Sequence, residues 1–168
     1  MKKVIVIGCP GSGKSVFSKE LRKITGIPLV HLDMLYWNAD GTTVPKEVFL
    51  ERLMSAVSGD EWIIDGNYAS TMEMRIDLCD TVFFLDYPTE VCLDGIEKRR
   101  GKARDDLPWV EQDVDSEFVE FVRFYNKKMR PRVFELLDKY QNKDIYVFQN
   151  REEGDAFLSS LRQLKSIK

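Results

Sequence analysis

Short apolar runs alternate with longer amphipathic segments along the chain, and this alternation is typical of α/β proteins. Five runs rich in Val, Ile, Leu and Phe predict strands at residues 4–7, 28–32, 61–64, 81–85 and 144–148. The segments between them carry apolar residues at the three-to-four-residue spacing of helices. Strands joined by helices predict a parallel, doubly wound sheet in a three-layer α/β/α sandwich, and we expect one domain over residues 1–168.

Start and stop residues give approximate bounds for the helices. We predict helices at about residues 12–24, 45–58, 70–78, 89–100, 110–139 and from 151 onward. The long helix over 110–139 is recognised by an apolar stripe of Val114, Phe118, Val122, Tyr125, Met129, Val133 and Leu137. Pro131 is expected to kink or divide it, and Asn150 is expected to cap the last helix.

The first strand runs directly into Gly8-Cys9-Pro10-Gly11-Ser12-Gly13-Lys14-Ser15, which matches the pattern G-x-x-x-x-G-K-[ST]. Glycines let the backbone N–H groups converge on a triphosphate, and the following helix directs its positive end toward it. The Lys14 ammonium can reach phosphate oxygens, and the Ser15 hydroxyl can bind Mg²⁺. A glycine-rich turn without a ligand is the alternative, but a strand-to-helix setting favours a nucleotide site. That predicted site comprises Gly8, Pro10, Gly11, Ser12, Gly13, Lys14, Ser15 and Val16.

Acidic residues follow three of the predicted strands, at the edge of the sheet where open α/β proteins bind ligands. Asp65 follows the third strand and is our candidate for holding Mg²⁺ together with Ser15. Asp86 competes for that role, although we interpret it as a turn residue before Pro88. Asp33 follows the second strand, and His31 within that strand is interpreted as a core or hydrogen-bonding residue.

Two segments are candidates for covering this edge. Residues 34–60 are predicted to form a flap on the acceptor side, with Tyr36 and Trp37 as candidates for stacking on a ring; an ordinary crossover helix with a long entry loop is the alternative. Residues 99–112, which begin within a cluster of Lys and Arg, are predicted to form a lid whose Arg99 binds phosphate; a solvated loop is the alternative. Further arginines that could turn back to the phosphates are Arg123, Arg130 and Arg132.

Composition narrows the classes of function. The chain of 168 residues is 43% hydrophobic and 32% charged, as in ordinary globular proteins. A net charge of −3 argues against nonspecific binding of nucleic acid, which depends on cationic surface. Three cysteines without metal-ligand spacing favour a reduced, cytoplasmic setting, and no stretch approaches the length of a membrane span. We expect a monomer or homodimer.

Several motifs together resemble a known superfamily. The segment Gly26 to Leu35, with Gly-Ile-Pro and Asp-Met-Leu, and Asp65-Gly66 resemble the corresponding motifs of adenylate kinase and other nucleoside monophosphate kinases. The chain is most similar to the relatives called topology modulation proteins, through the motifs at His31–Trp37, Trp62–Tyr68 and Arg130–Arg132. The resemblance covers nearly the whole chain. It implies a five-stranded sheet of order 2-3-1-4-5, ATP with Mg²⁺ as cofactors, and a moving lid.

The resemblance also suggests roles for single residues. By this comparison Lys14, Asp33, Arg99 and Arg130 form the catalytic set. The acceptor site would comprise Asp33, Tyr36, Trp37, Asp65, Gly66, Asn67 and Arg75. The sequence departs from adenylate kinase where that enzyme's arginines bind the acceptor phosphate, since Tyr36 and Ala69 stand there; Arg75 is a hypothetical substitute. Gly95 stands where an arginine packs on the adenine.

These observations favour a phosphotransferase that moves the γ-phosphoryl group of Mg-ATP to a small molecule, which could be a nucleoside, a nucleotide or a hydroxylated metabolite. For a hydroxyl acceptor, as in the shikimate and gluconate kinases of this architecture, Asp33 could accept the proton. For a phosphate acceptor it would only position water or a sugar hydroxyl. The alternative is a nucleotide-binding regulatory protein associated with DNA topology. A GTPase-like switch ranks last, because Asn142-Lys143-Asp144 lacks one residue of the guanine motif.

Overall fold

A computed structural model describes residues 1–113 and 115–166 of the chain. The strands are β1 (Lys3–Gly8), β2 (Leu29–His31), β3 (Trp62–Asp65), β4 (Thr81–Leu85) and β5 (Asp144–Phe148). The helices are α1 (Lys14–Thr25), α2 (Leu32–Tyr36), α3 (Lys46–Val57), α4 (Ala69–Leu78), α5 (Thr89–Arg99), α6 (Ser116–Lys128), α7 (Arg130–Asp138) and α8 (Arg151–Ser166).

All five strands are parallel and lie in the order β2-β3-β1-β4-β5. The central strand β1 has neighbours on both sides, with Val6 opposite Asp65 of β3 and opposite Phe83 of β4. The predicted fold class and strand order are therefore confirmed. Because β1 is central, the loop that follows it emerges at the middle of the carboxyl edge of the sheet.

Alternating side chains of the buried strands supply two separate cores, one on each face of the sheet. In β1, Val4 and Val6 contribute to one core, whereas Ile5 and Ile7 contribute to the other. Helices α1, α5, α6 and α8 cover the first face, with Phe17, Leu21, Cys92, Ile96, Val122, Tyr125 and Leu158. Helices α2, α3, α4 and α7 cover the second, with Leu32, Phe49, Leu53, Met72, Ile76, Val133 and Leu137. These two helical layers enclose the sheet as the sequence predicts.

The helix predicted over residues 110–139 is wrong in its start, whereas its expected division near Pro131 is confirmed. Helix α6 begins only at Ser116, where the Asp115 side chain accepts a hydrogen bond from the Glu117 N–H at 3.1 Å. The helix is interrupted at Met129, and α7 begins at Arg130. Pro131 lies in the first turn of α7, where the backbone N–H that proline lacks would have no helical partner. Val114, which was predicted to belong to the apolar stripe, lies outside the described residues.

The structure differs from the sequence prediction at two further places, both near the predicted site. Strand β2 passes without a loop into α2, so Asp33 lies in the first turn of a helix instead of just beyond a strand end. The flap segment 34–60 contains α2, α3 and a connection closed by the antiparallel bridge between Trp37 and Thr43. The Val44 N–H donates to the Tyr36 carbonyl at 2.9 Å, which keeps this connection tight.

Helix α5 and the loop after β1 approach each other at two glycines. A Cβ atom placed on Gly95 would lie 2.0 Å from the Gly11 carbonyl oxygen, and one on Gly11 would lie 2.0 Å from the Cys92 carbonyl oxygen. No side chain fits at either position. The glycine at position 95, where adenylate kinase has an arginine, is thus required by backbone contact.

We predict that Gly95→Ala lowers the free energy of unfolding by about 1–3 kcal/mol, because the added methyl group must push the two backbones apart. On an open helix surface the same change would raise stability by about 0.5–1 kcal/mol, so the sign is diagnostic. Urea denaturation measures the difference. Gly59→Ala is the matched control, since its Cβ would meet nothing closer than 3.8 Å. A Gly95→Ala protein more stable than the parent would contradict the prediction.

Candidate active site

The loop between β1 and α1 has the backbone conformation that its glycines permit. Gly11 and Gly13 have φ angles of 84° and 94°, which residues with a Cβ rarely adopt. The first helical hydrogen bond runs from the Phe17 N–H to the Gly13 carbonyl at 3.0 Å. The unpaired N–H groups at the start of α1 therefore point out of the carboxyl edge of the sheet, where they can bind an anion.

Lys14 folds back across this loop. Its Nζ donates to the carbonyl oxygens of Gly8 at 3.0 Å and Cys9 at 3.1 Å. Burial lowers the pKa of Lys14, and the nearby charges of Asp65 and Asp33 oppose that effect. The Asn67 side chain holds the start of the loop as well: its Oδ1 accepts from the Gly8 N–H at 3.0 Å, and its Nδ2 donates to the Gly8 carbonyl at 2.6 Å.

Asp65 lies at the end of β3 beside the loop, with only 4% of its surface exposed. Its Oδ1 is 2.8 Å from His31 Nδ1, whereas its buried Oδ2 has no hydrogen-bond partner in the protein. Burial disfavours the charged form of His31, but the hydrogen bond and charge of Asp65 outweigh it and raise the pKa. An orphaned carboxylate oxygen beside a phosphate-binding loop fits a divalent cation.

Ser15 and Asp65 both line the cleft above this edge. Within residues 1–113 and 115–166, no three His, Cys, Asp or Glu side chains form a self-sufficient metal site. Mg²⁺ is commonly held through one or two protein ligands together with substrate phosphates, and these two residues suit that arrangement. The Ser15 hydroxyl lies beside the Asp106 carboxylate of the lid; burial raises the pKa of Asp106, but this hydrogen bond and nearby cations lower it overall.

Asp33 faces the same cleft from the first turn of α2. The Tyr68 hydroxyl donates to its Oδ1 at 2.7 Å. Burial raises the pKa of Asp33, and the hydrogen bond from Tyr68 and the charge of Lys14 only partly offset this effect. Tyr68 has a φ angle of 38°, the one non-glycine residue of the described chain with positive φ. This unusual conformation, at the N-cap of α4, directs attention to Tyr68 as a functional residue.

Aromatic side chains form the wall next to Asp33. Tyr36 contacts Tyr68 with ring centroids 4.9 Å apart and Trp37 at 5.3 Å. Trp37 of the flap in turn contacts Trp109 of the lid at 5.7 Å. The flap and the lid thus meet through two indole rings. Trp109 Nε1 is buried and has no hydrogen-bond partner in the protein.

The lid is a loop whose charges are largely balanced by its own carboxylates. Arg99 Nε lies 3.2 Å from Glu111 Oε2, and Arg104 Nη2 lies 3.3 Å from the same oxygen. Arg104 Nε is also 3.6 Å from Asp106 Oδ1. Burial lowers the pKa of Arg99, and the charge of Glu111 acts in the opposite direction. Both guanidinium groups line the cleft, where phosphate oxygens could replace their carboxylate partners.

These elements surround one cleft of about 1280 Å³. Most predicted site residues line it: Pro10, Gly11, Ser12, Gly13, Lys14, Ser15, Val16, Asp33, Tyr36, Trp37, Asp65, Gly66, Asn67 and Arg99. Further lining residues, which were not assigned individual roles from the sequence, include Tyr68 and, within the predicted lid, Arg104, Asp106, Trp109 and Glu111. The sequence signals for them were the motif Asp65-Gly66-Asn67-Tyr68 and the basic cluster in which the predicted lid begins. The ion pairs that Glu111 and Asp106 form with the lid arginines depend on tertiary contacts, which a local sequence pattern does not predict.

Arg75 is not brought into the cleft. It is fully buried behind the loop after β3, and its guanidinium group donates to the carbonyl oxygens of Gly66, Asn67 and Tyr68, with the Gly66 bond at 3.0 Å. Burial lowers the pKa of Arg75 to about 10. The side chain therefore orders the segment that carries Asp65 and Asn67, and it does not reach a position from which it could bind the acceptor.

The other candidate arginines, Arg123, Arg130 and Arg132, also lie outside the cleft. Arg130 Nε and Nη2 donate to the two carboxylate oxygens of Asp86 at 2.7 Å and 2.8 Å, and its guanidinium carbon lies 4.7 Å from the centroid of the Phe134 ring. Gln149 also donates to Asp86, at 3.2 Å. The interpretation of Asp86 as a turn residue is therefore incomplete, since it is a buried ion-pair partner.

Arg123 is exposed and pairs with Glu120 at 2.7 Å. Arg132 is exposed and does not line the cleft.

Comparison with solved structures finds the same fold in two shikimate kinases. The enzyme from Bacteroides thetaiotaomicron is similar with a TM-score of 0.60 and 18% sequence identity, over 97% of each chain. The enzyme from Acinetobacter baumannii, solved in complex with shikimate, has a TM-score of 0.63 and 17% identity, over 98% of this chain and 92% of its own. No protein-family model matches the sequence, and no curated protein does. The chain thus has the fold of P-loop kinases.

We predict that Arg75→Met lowers the free energy of unfolding by roughly 2–4 kcal/mol, because three buried carbonyl groups lose a charged donor. Urea denaturation measures the loss, and Arg123→Met on the surface of α6 is the control, which should remain close to the parent protein. Arg75→Lys should not restore stability, since an ammonium group cannot reproduce the planar fork. Parental stability of Arg75→Met combined with weaker acceptor binding would instead support a direct role in the acceptor site.

Proposed function

We propose that this protein is an ATP-dependent small-molecule kinase that phosphorylates a hydroxyl group. The observation that carries the proposal is that Lys14 and Asp33 line the same cleft. A kinase needs a group that binds the phosphates of ATP and a group that orients the acceptor hydroxyl, and these two residues could fill those roles. Lys14 belongs to a phosphate-binding loop, and Asp33 is a partly buried carboxylate whose hydrogen-bond partner Tyr68 leaves its other oxygen available. The shared fold with shikimate kinases supports a small-molecule acceptor.

The loop N–H groups and Lys14 would bind the β- and γ-phosphates of ATP. Ser15 and Asp65 would hold Mg²⁺, which neutralises charge on the phosphates when it is bound. Arg99 and Arg104 would approach the transferred group from the lid, exchanging Glu111 and Asp106 for phosphate oxygens. The lid carboxylates thereby keep the arginines oriented in the absence of negative charge from a nucleotide.

Asp33 would accept a hydrogen bond from the acceptor hydroxyl and orient its oxygen toward the γ-phosphorus. A bond forms between that oxygen and the phosphorus while the bond to the β–γ bridging oxygen breaks and ADP leaves. The proton of the hydroxyl passes to the Asp33 carboxylate. Burial suits this residue to the task, because a raised pKa makes its carboxylate a better proton acceptor.

We expect ADP formation from Mg-ATP to be stimulated by an acceptor within a panel of nucleosides, nucleoside monophosphates, sugars and hydroxylated acids including shikimate. Lys14→Ala should lower the stimulated rate about 100-fold or more, since it removes a charge that stabilises the transferring group. Lys46→Ala, on the exposed start of α3, is the matched control and should leave the rate unchanged. Tight ATP binding without stimulation by any acceptor would favour the alternative, a nucleotide-binding regulatory protein of the kind that the topology modulation resemblance implies.

We also predict that kcat depends on pH through the protonation of Asp33. The carboxylate form is active, so kcat should fall as the pH is lowered through the raised pKa of Asp33, above the ordinary value of 3.8. Asp33→Asn should lower kcat by about 10²- to 10⁴-fold and abolish this acidic limb. Asp40→Asn on the exposed part of the flap is the control. An acidic limb that persists in Asp33→Asn would exclude Asp33 as the group that titrates.

A further inference from the structure

The phosphate loop divides the cleft into two halves, because it follows the central strand of the sheet. Strands β2 and β3 lie on one side of it and carry Asp33 and Tyr68 at their carboxyl edge. Strands β4 and β5 lie on the other side. We call the first side the acceptor half and define it by Asp33, Tyr36, Trp37, Tyr68 and Trp109, which all line the cleft.

The cationic groups near the acceptor half are already engaged within the protein. Arg75 is buried against backbone carbonyls, and Arg52 Nη1 donates to the Leu35 carbonyl at 3.1 Å. His31 is bound to Asp65. In the lid, Arg99 and Arg104 both contact Glu111, and Arg104 also contacts Asp106. Among residues 1–113 and 115–166, no Lys, Arg or His lines this half with a side chain free of a carboxylate or carbonyl partner.

Negative charge dominates the cleft as a whole, since its acidic side chains outnumber its basic ones. Asp33 and Asp65 lie at the carboxyl edge itself, and Asp106 covers them from the lid. Lys14 is committed to the phosphate loop. A carboxylate or phosphate on the acceptor would therefore be desolvated next to like charge, while the two lid arginines are occupied by the transferred phosphoryl group in the proposed mechanism; this is strongly unfavourable.

The neutral part of the acceptor half favours a ring. Tyr36, Trp37, Tyr68 and Trp109 form a continuous aromatic wall, with neighbouring ring centroids 4.9–5.7 Å apart. Such faces bind flat or apolar rings and attract cations. The unpartnered N–H of Trp109 adds a hydrogen-bond donor for a neutral oxygen or nitrogen.

We propose that the acceptor is a hydroxylated ring compound without negative charge, such as a nucleoside or an amino sugar, and neither a carboxylate nor a phosphate ester. This inference rests on the proposed kinase function for the meaning of the acceptor half. It differs from that function in its evidence, because the charge and the aromatic wall determine what binds whether or not phosphoryl transfer follows.

The test uses pairs of compounds that share a ring and differ by one anionic group: thymidine with thymidine 5′-monophosphate, glucose with glucuronate, and glucosamine with glucosamine 6-phosphate. Isothermal titration calorimetry measures the Kd of each for the full chain saturated with Mg²⁺ and a non-hydrolysable ATP analogue. We expect at least one uncharged or cationic member to bind about tenfold or more tightly than its anionic partner. Anionic members that bind as tightly or more tightly would overturn the inference, and so would the absence of binding by every uncharged and cationic member.

Two substitutions of Trp37 test directly whether charge determines which compounds bind. Trp37→Arg places a cation in the wall, and Trp37→Leu removes the ring without adding charge. Both should weaken binding of the preferred compound, but only Trp37→Arg should improve binding of its anionic partner, by about tenfold. Equal effects of the two variants on the anionic compound would overturn the charge argument. Turnover is measured separately: selective binding without acceptor-stimulated ADP formation would remove the proposed function while leaving this inference standing.

Discussion

The phosphate loop and helix α5 lie so close together that neither Gly11 nor Gly95 has room for a side chain. This contact ties the proposed phosphate-binding loop to helix α5, which leads into the predicted lid. Arg99 follows Gly95 by four residues, so both lie on the same face of α5. The side of the helix that touches the loop is thus also the side that carries Arg99 to the cleft. The position of the lid arginine depends on a backbone contact that only glycine allows.

The charge arrangement of the site follows from a second constraint. A cleft that receives a polyanion needs cations, yet cations that face one another without partners repel and would loosen the lid. Glu111 resolves this by accepting contacts from both Arg99 and Arg104, and Asp106 adds a further contact to Arg104. These side chains are about one-fifth exposed or less, so an arginine left without a partner here would be unfavourable. Phosphate oxygens can replace these carboxylates because they offer the guanidinium groups equivalent charge-assisted hydrogen bonds.

The sequence sufficed for the features that depend on local pattern. The apolar runs of the strands and the glycines of the phosphate loop determine where strands and loop lie, and Asp65 and Asp33 then fall at the carboxyl edge by topology. Contacts between residues far apart in the sequence could not be predicted from it. Arg75 and Arg130 have no local property that distinguishes a phosphate-binding arginine from one that holds backbone carbonyls or Asp86. The start of helix α6 at Ser116, with Asp115 as its N-cap, likewise differs from the predicted start near residue 110.

The aromatic contacts connect the lid to the carboxylate at which the chemistry is proposed. Trp109 contacts Trp37, Trp37 contacts Tyr36, and Tyr36 contacts Tyr68, whose hydroxyl donates to Asp33. Tyr68 is also held in a strained backbone conformation directly after the segment that Arg75 orders. A ring bound against Trp37 would therefore contact the lid and the support of Asp33 at the same time. Binding energy from a part of the acceptor that does not react can in this way favour closure of the lid and alignment of the base together, which is how closure gives specificity.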